Sequence, residues 1–249
     1  MLPTNMGGTL ICLFAMLHLS NEFMQFYPQR KVYNTYDVYS SSSEEKHGPY
    51  ASETTEEVLP YTGGPRAQEK IVDTRIKAVQ DEIVRCHNDI RRNVNPTASD
   101  MKKMVWNEDA AQNARKVASM CSDRHSPPNK RIIKKPNVIT CGENLYMSSS
   151  EDPWRDRIDD WASEVKVFRY GHGPISKGAI TGHYTQVVSA NTTLVGCGSQ
   201  RCNNLKFPYL TVCHYCPPGN NGDGTKFPYT RGNPCSKCKG RCEDKLCIV

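Results

Sequence analysis

Three stretches of the chain repeat apolar residues at helical spacing. Between residues 70 and 94, Ile76, Val79, Ile83 and Ile90 fall on one helical face. A second stretch starts at Asn107, a residue type that caps helices, and lines up Ala110, Ala114, Val117, Ala118 and Cys121. A third opens with Asp152 as cap and Pro153 in the first turn, then buries Trp154, Ile158, Trp161, Val165 and Phe168. After Gly182 the period changes to short β-prone runs at 184–189, 192–196 and 208–215. Helices followed by short extended runs predict an α+β fold, with the helices packed on a small antiparallel sheet.

The flanks read differently. Residues 10–19 form an apolar run that is followed by polar Ser20, Asn21 and Glu22. The run is too short to cross a bilayer and fits the core of a signal peptide, so residues 1–22 are expected to direct export. A buried N-terminal helix is the other reading, and no Lys or Arg precedes Arg30. With 37% hydrophobic residues, the rest of the sequence offers no candidate transmembrane segment. Residues 23–69 are rich in Ser, Tyr, Glu and Pro without a helical period, which predicts a flexible acidic leader or pro-segment. Residues 70–218 hold the core-forming pattern, and Pro217-Pro218-Gly219-Asn220-Asn221-Gly222 reads as the start of a linker. The remainder, 219–249, ends in Cys235, Cys238, Cys242 and Cys247 with almost nothing apolar to bury, so its shape must come from cross-links. Four thiols could also hold zinc, but in an exported chain disulfides are the expected state.

Cysteine count and charge sharpen this picture. The chain has 12 cysteines among 249 residues, and removing Cys12 with the signal leaves an odd number. Such density belongs to an oxidising compartment, with one thiol left over. The net charge of +6 hides a split. Residues 66–249 carry 29 Lys+Arg against 19 Asp+Glu, and residues 1–65 carry 3 against 7. A basic exported domain points to polyanionic partners such as sulfated glycans or anionic membranes, and export excludes nucleic acid.

Four ordered motifs carry a resemblance to a known family. They are Cys86-His87-Asn88-Asp89-Ile90-Arg91-Arg92, Cys141-Gly142-Glu143-Asn144-Leu145-Tyr146-Met147, Gly182-His183-Tyr184-Thr185-Gln186, and Val212-Cys213-His214-Tyr215-Cys216-Pro217-Pro218-Gly219-Asn220. Together they resemble the CAP superfamily, and within it the cysteine-rich secretory protein (CRISP) branch, over residues 80–247. The resemblance implies an α-β-α sandwich followed by a short disulfide-stapled C-terminal hinge. It also implies the pairs Cys121 with Cys202, Cys141 with Cys216, Cys197 with Cys213, Cys235 with Cys242 and Cys238 with Cys247. Spacing alone leaves the connectivity open. Cys86 is then the unpaired thiol, either buried or engaged between molecules. Ser189 stands where relatives have Trp, which predicts looser packing beside the central strand.

The family's cleft holds two His and two Glu, and the matching positions are His125, Glu143, Glu164 and His183. Two imidazoles, His125 and His183, can hold a divalent ion such as Zn²⁺ weakly, with the carboxylates behind them raising ligand basicity. The alternative is a hydrogen-bonded polar cluster that needs no metal. No nucleophile is placed beside the cleft by any motif, and Cys86 is a poor partner for His87 because adjacent helical residues point apart. A non-enzymatic protein is therefore expected. Asn191-Thr192-Thr193 is a glycosylation sequon, whereas Asn95-Pro96-Thr97 is excluded by its proline. Lys130, Arg131, Lys134 and Lys135 form a basic loop suited to sulfated or sialylated glycans, or simply to solvent. The resemblance implies a secreted signalling or binding protein that acts on sperm or another cell-surface receptor, as in sperm chemoattraction or gamete interaction. The protein is expected to be a branch member that lacks the channel-regulatory module usually found after the hinge. The alternatives are a toxin-like modulator of channels and a sterol- or lipid-binding CAP protein.

Overall fold

The structure, a computed structural model, describes residues 72–135 and 137–248. The expected signal peptide at 1–22 and the expected leader at 23–69 lie outside the described residues. The helices are α1 (Lys77–Arg92), α2 (Glu108–Ala118), α3 (Trp154–Ser163) and α4 (Gly182–Val187). The strands are β1 (Val105–Trp106), β2 (Ile132–Ile133), β3 (Ile139–Thr140), β4 (Gly142–Ser148), β5 (Phe168–Arg169), β6 (Gly173–Pro174), β7 (Leu194–Arg201), β8 (Tyr209–Cys216), β9 (Cys242–Glu243) and β10 (Leu246–Cys247).

The main sheet has the order β1-β7-β8-β4. β7 and β4 both run antiparallel to β8, whereas β1 joins β7 in parallel, so the sheet is mixed rather than purely antiparallel. Alternation along β8 feeds two cores on opposite faces. Cys213 and Tyr215 pack with Trp154, Ile158 and Trp161 of α3 and with Val79 and Ile83 of α1. Leu210 and Val212 pack with Ala114, Val117 and Ala118 of α2. The result is an α-β-α sandwich, in which each large apolar side chain taken out of water contributes about 1.5–3 kcal/mol.

Two glycines let α2 lie close to the sheet. A Cβ on Gly196 would stand 2.2 Å from the Ala111 backbone nitrogen, and one on Gly198 would stand 2.6 Å from Arg115 Cα. The α2 stripe of Ala110, Ala114 and Ala118 matches this approach from the other side. Asn107 caps α2 as expected, its side chain accepting from the Ala110 N–H at 2.8 Å.

Several elements differ from the sequence reading. Residues 184–189 were expected as a strand because Tyr, Thr and Val favour extended backbone, yet Gly182–Val187 is helix. The carboxylate of Glu164 decides this, accepting from the His183 and Tyr184 N–H groups at 2.9 and 3.0 Å and so satisfying free donors of the first turn. α3 starts after Pro153 without a side-chain cap. Asp152 instead accepts from Tyr146 Oη at 2.6 Å and Ser150 Oγ at 2.7 Å. α3 ends at Ser163, leaving Val165 exposed and Phe168 in a separate short strand. β7 runs on to Arg201, and β4, a seven-residue strand, had no counterpart in the reading of strands. At Ser189 packing is tight rather than loose, because a Cβ on Gly219 would lie 2.4 Å from Ser189 Cβ.

The C-terminal segment does bury apolar surface. Leu246 and Tyr229 belong to the main core, with Leu246 fully buried. Backbone bonds fasten the segment to residues 99–103: Lys237 N to Ser99 O at 2.9 Å, Cys247 N to Met101 O at 2.7 Å and Lys103 N to Cys247 O at 2.9 Å.

Candidate functional site

The register of β4 against β8 sets Glu143 opposite His214. Both side chains are fully buried, and His214 Nε2 donates to Glu143 Oε2 at 3.0 Å. Ser126 donates twice to the same carboxylate, from its backbone N–H to Oε1 at 2.8 Å and from Oγ to Oε2 at 2.6 Å. His125 Nδ1 completes the set at 2.9 Å from Oε1. Burial opposes the charge on Glu143, but the hydrogen bonds from His125, His214 and Ser126 outweigh it and hold the carboxyl well below the usual range. Burial lowers the pKa of His214, and the Glu143 hydrogen bond only partly restores it. His214 is therefore neutral, with its proton on Nε2.

A carboxylate at Nδ1 fixes the tautomer of His125. Nδ1 is the donor toward Glu143, which leaves Nε2 as the outward nitrogen of a ring whose side chain is 58% exposed. The second pair repeats this arrangement. His183 Nδ1 donates to Glu164 Oε1 at 2.6 Å, with the His183 side chain 29% exposed. Trp161 stacks on the His183 ring with centroids 6.4 Å apart and planes 21° from parallel. Asn144, next to Glu143, donates from Nδ2 to the His183 carbonyl at 3.2 Å and ties the strand of one pair to the helix of the other. Each imidazole thus offers Nε2, with a carboxylate behind Nδ1, which is the donor set of a divalent-ion ligand.

Disulfides brace the segments that carry these groups. Cys121 is bonded to Cys202, Cys141 to Cys216 and Cys197 to Cys213, and in the hinge Cys235 to Cys242 and Cys238 to Cys247. The sulfurs of Cys235, Cys238 and Cys247 lie within 4.8 Å of one another. All three are in disulfides, so this cluster has no thiolate to offer a metal. Cys86 is a free, fully buried thiol in the main core, not an exposed link between molecules. Asn191 is exposed in the turn that precedes β7. Lys130, Lys134 and Lys135 are exposed, and Arg131 is half-buried with its Nε enclosed.

Sequence reasoning passed over His214 and Ser126. His214 stands between Cys213 and Tyr215, and only the β4–β8 register reveals that it faces Glu143. On the other face of these strands His87 and Tyr215 meet. His87 Nδ1 donates to the Ile83 carbonyl at 2.8 Å, so Nε2 accepts from Tyr215 Oη at 3.0 Å.

The profile of the CAP family, described as the cysteine-rich secretory protein family, matches residues 84–215. The chain belongs to this family. Human cysteine-rich secretory protein 3 is 47% identical over 170 residues, which is 68% of this chain and 68% of that protein. Allurin of Xenopus tropicalis is 45% identical over 168 residues, 68% of this chain and 82% of that one. Among solved structures, the CAP domain resembles NaASP2 with Zn²⁺ at a TM-score of 0.57 and 29% identity, over 69% of this chain and 96% of the other.

Proposed function

We propose that this CAP protein is a secreted, non-enzymatic extracellular ligand that acts on sperm or another cell surface, with a cleft that takes a weakly held Zn²⁺ at His125 and His183. The observation that carries the reading is the matched pair of carboxylate-backed imidazoles, Glu143 behind His125 at 2.9 Å and Glu164 behind His183 at 2.6 Å. A bound ion would supply positive charge and open coordination positions for an anionic group of a partner. The likeness to a relative solved with Zn²⁺ supports this site.

Binding is favoured over catalysis by the state of the neighbouring hydroxyl. Ser126 Oγ is buried and donates to Glu143, so no imidazole draws its proton. Secretion is supported by the five disulfides and by similarity to secretory relatives. Lys130, Lys134 and Lys135, which make no ion pair among the described residues, suit a sulfated or sialylated glycan on the partner surface. The action on sperm rests on similarity to the CRISP proteins and allurin.

The test is the behaviour of sperm in a gradient of the purified secreted chain, beside a reduced and alkylated sample. Directed swimming or surface binding that is lost on reduction is the expected result. No response and no binding by the intact protein overturns the gamete-directed reading and leaves the fold untouched.

A further inference from the structure

A hollow of about 310 Å³ is lined by Asp100, Tyr170, Asn191, Phe227, Tyr229 and Thr230 among others, and none of His125, Glu143, Glu164 and His183 belongs to it. Its size is at the lower end of small-molecule sites, roughly 300–1,000 Å³. The wall is aromatic. Tyr170 meets Phe227 edge to face at 5.5 Å and Tyr229 at 5.1 Å, and Phe227 remains 49% exposed. Asp100 stands at the rim with its carboxylate fixed by Thr230 N at 2.8 Å and Thr230 Oγ at 2.6 Å, and each oxygen keeps acceptor capacity.

Asn191 is the feature that selects an occupant. It is the exposed first residue of the sequon Asn191-Thr192-Thr193, and it is itself part of the lining. It sits in a turn closed by Thr192 N donating to Ser189 O at 3.2 Å. That turn is held from below by Arg91, whose guanidinium donates to the carbonyls of Ser189 at 2.7 Å and Thr192 at 3.0 Å. It is also stapled to the aromatic wall by Ala190 N donating to Pro228 O at 2.8 Å. The attachment point and the hollow are thus one rigid unit.

We infer that Asn191 carries an N-linked glycan whose first N-acetylglucosamine seats in this hollow, against Phe227 and Tyr170. The inference goes beyond the proposed action at the cleft and does not depend on it. The Asn191 amide nitrogen attacks the anomeric carbon of N-acetylglucosamine in a lipid-linked oligosaccharide donor. A C–N bond forms, the anomeric C–O bond breaks, the lipid pyrophosphate leaves with the bonding pair, and one amide proton passes to a base of the transferase. No redox change occurs. The apolar face of the sugar then covers the exposed Phe227 ring, and its hydroxyl and acetamide groups find acceptors at the Asp100 rim.

The full chain secreted from animal cells tests this by glycopeptide mass spectrometry and thermal unfolding. Asn191 is expected to be modified in the wild type and in Phe227→Ala, and unmodified in Thr193→Ala, which keeps the asparagine. An unmodified Asn191 in secreted wild type overturns the site. Trimmed to a single N-acetylglucosamine, the wild type is expected to melt about 2–4 °C above Thr193→Ala. In the Phe227→Ala background the same comparison should show no difference. Equal melting of trimmed wild type and Thr193→Ala, or an equal gain with and without Phe227, overturns the seating of the sugar.

Discussion

Glu143 and His214 face each other across neighbouring strands, with His214 Nε2 donating to Glu143 Oε2 at 3.0 Å in a space closed to solvent. Every donor around that carboxylate, from His125, Ser126 and His214, points at an oxygen. Glu143→Gln replaces one oxygen by an NH₂ and sets donor against donor. The substitution is expected to cost about 2–4 kcal/mol, because it combines lost charge-assisted bonds with buried unpaired donors. Urea unfolding of the two proteins measures the difference.

Stability should fall as the pH drops through the range set by His87. Burial, only partly offset by its bond to Ile83, takes this histidine from 6.5 down to about 4. Because the folded-state value is depressed, the unfolded chain takes up the proton first. The contribution is complete above pH 6.5 and is lost on the way down to about 4. The loss at the lower pH is about 3 kcal/mol. His214, also lowered by burial, adds in the same direction. Unfolding free energy measured against pH for the wild type and His87→Gln checks this. The variant should show the shallower slope, whatever its absolute stability.

The α2 face of the sheet admits no side chain at two positions. A methyl at Gly196 would meet the backbone at Ala111 N, 2.2 Å away, and at Asn107 O, 2.6 Å away. Neither atom can rotate aside. Gly196→Ala is therefore expected to destabilise by about 1–3 kcal/mol or more, as overpacking of a closed core does. Thermal unfolding at neutral pH reads the effect.

Cys86 should be silent in the folded protein. Burial pushes its thiol up to about 11, so the reactive thiolate is scarce at neutral pH. Alkylation by iodoacetamide is expected only after denaturation, with Cys86 the one site modified among the described residues. Rapid labelling of the native protein would contradict the buried placement.

Much of this architecture is legible in the sequence, and the exceptions share one cause. The stripe from Ala110 to Ala118 and its cap Asn107 follow from spacing and local chemistry, and the structure shows both. The 184–189 segment misleads because its helix depends on Glu164, a residue 19 positions before His183 that supplies the missing acceptors. His214 is likewise hidden. Its role depends on being opposite Glu143, a register fixed by the whole β4–β8 pairing and not by neighbouring residues. Leu246 shows the same limit in the hinge, where it reaches the main core through long-range backbone bonds at 99–103.

The most direct measurement of the central claim is a calorimetric titration of the purified chain with Zn²⁺, beside His125→Ala/His183→Ala. The account predicts saturable heat at one ion per chain in the wild type and none above dilution in the double variant. The absence of saturable heat in the wild type, or equal heat in both proteins, would contradict a metal-binding cleft at these two imidazoles.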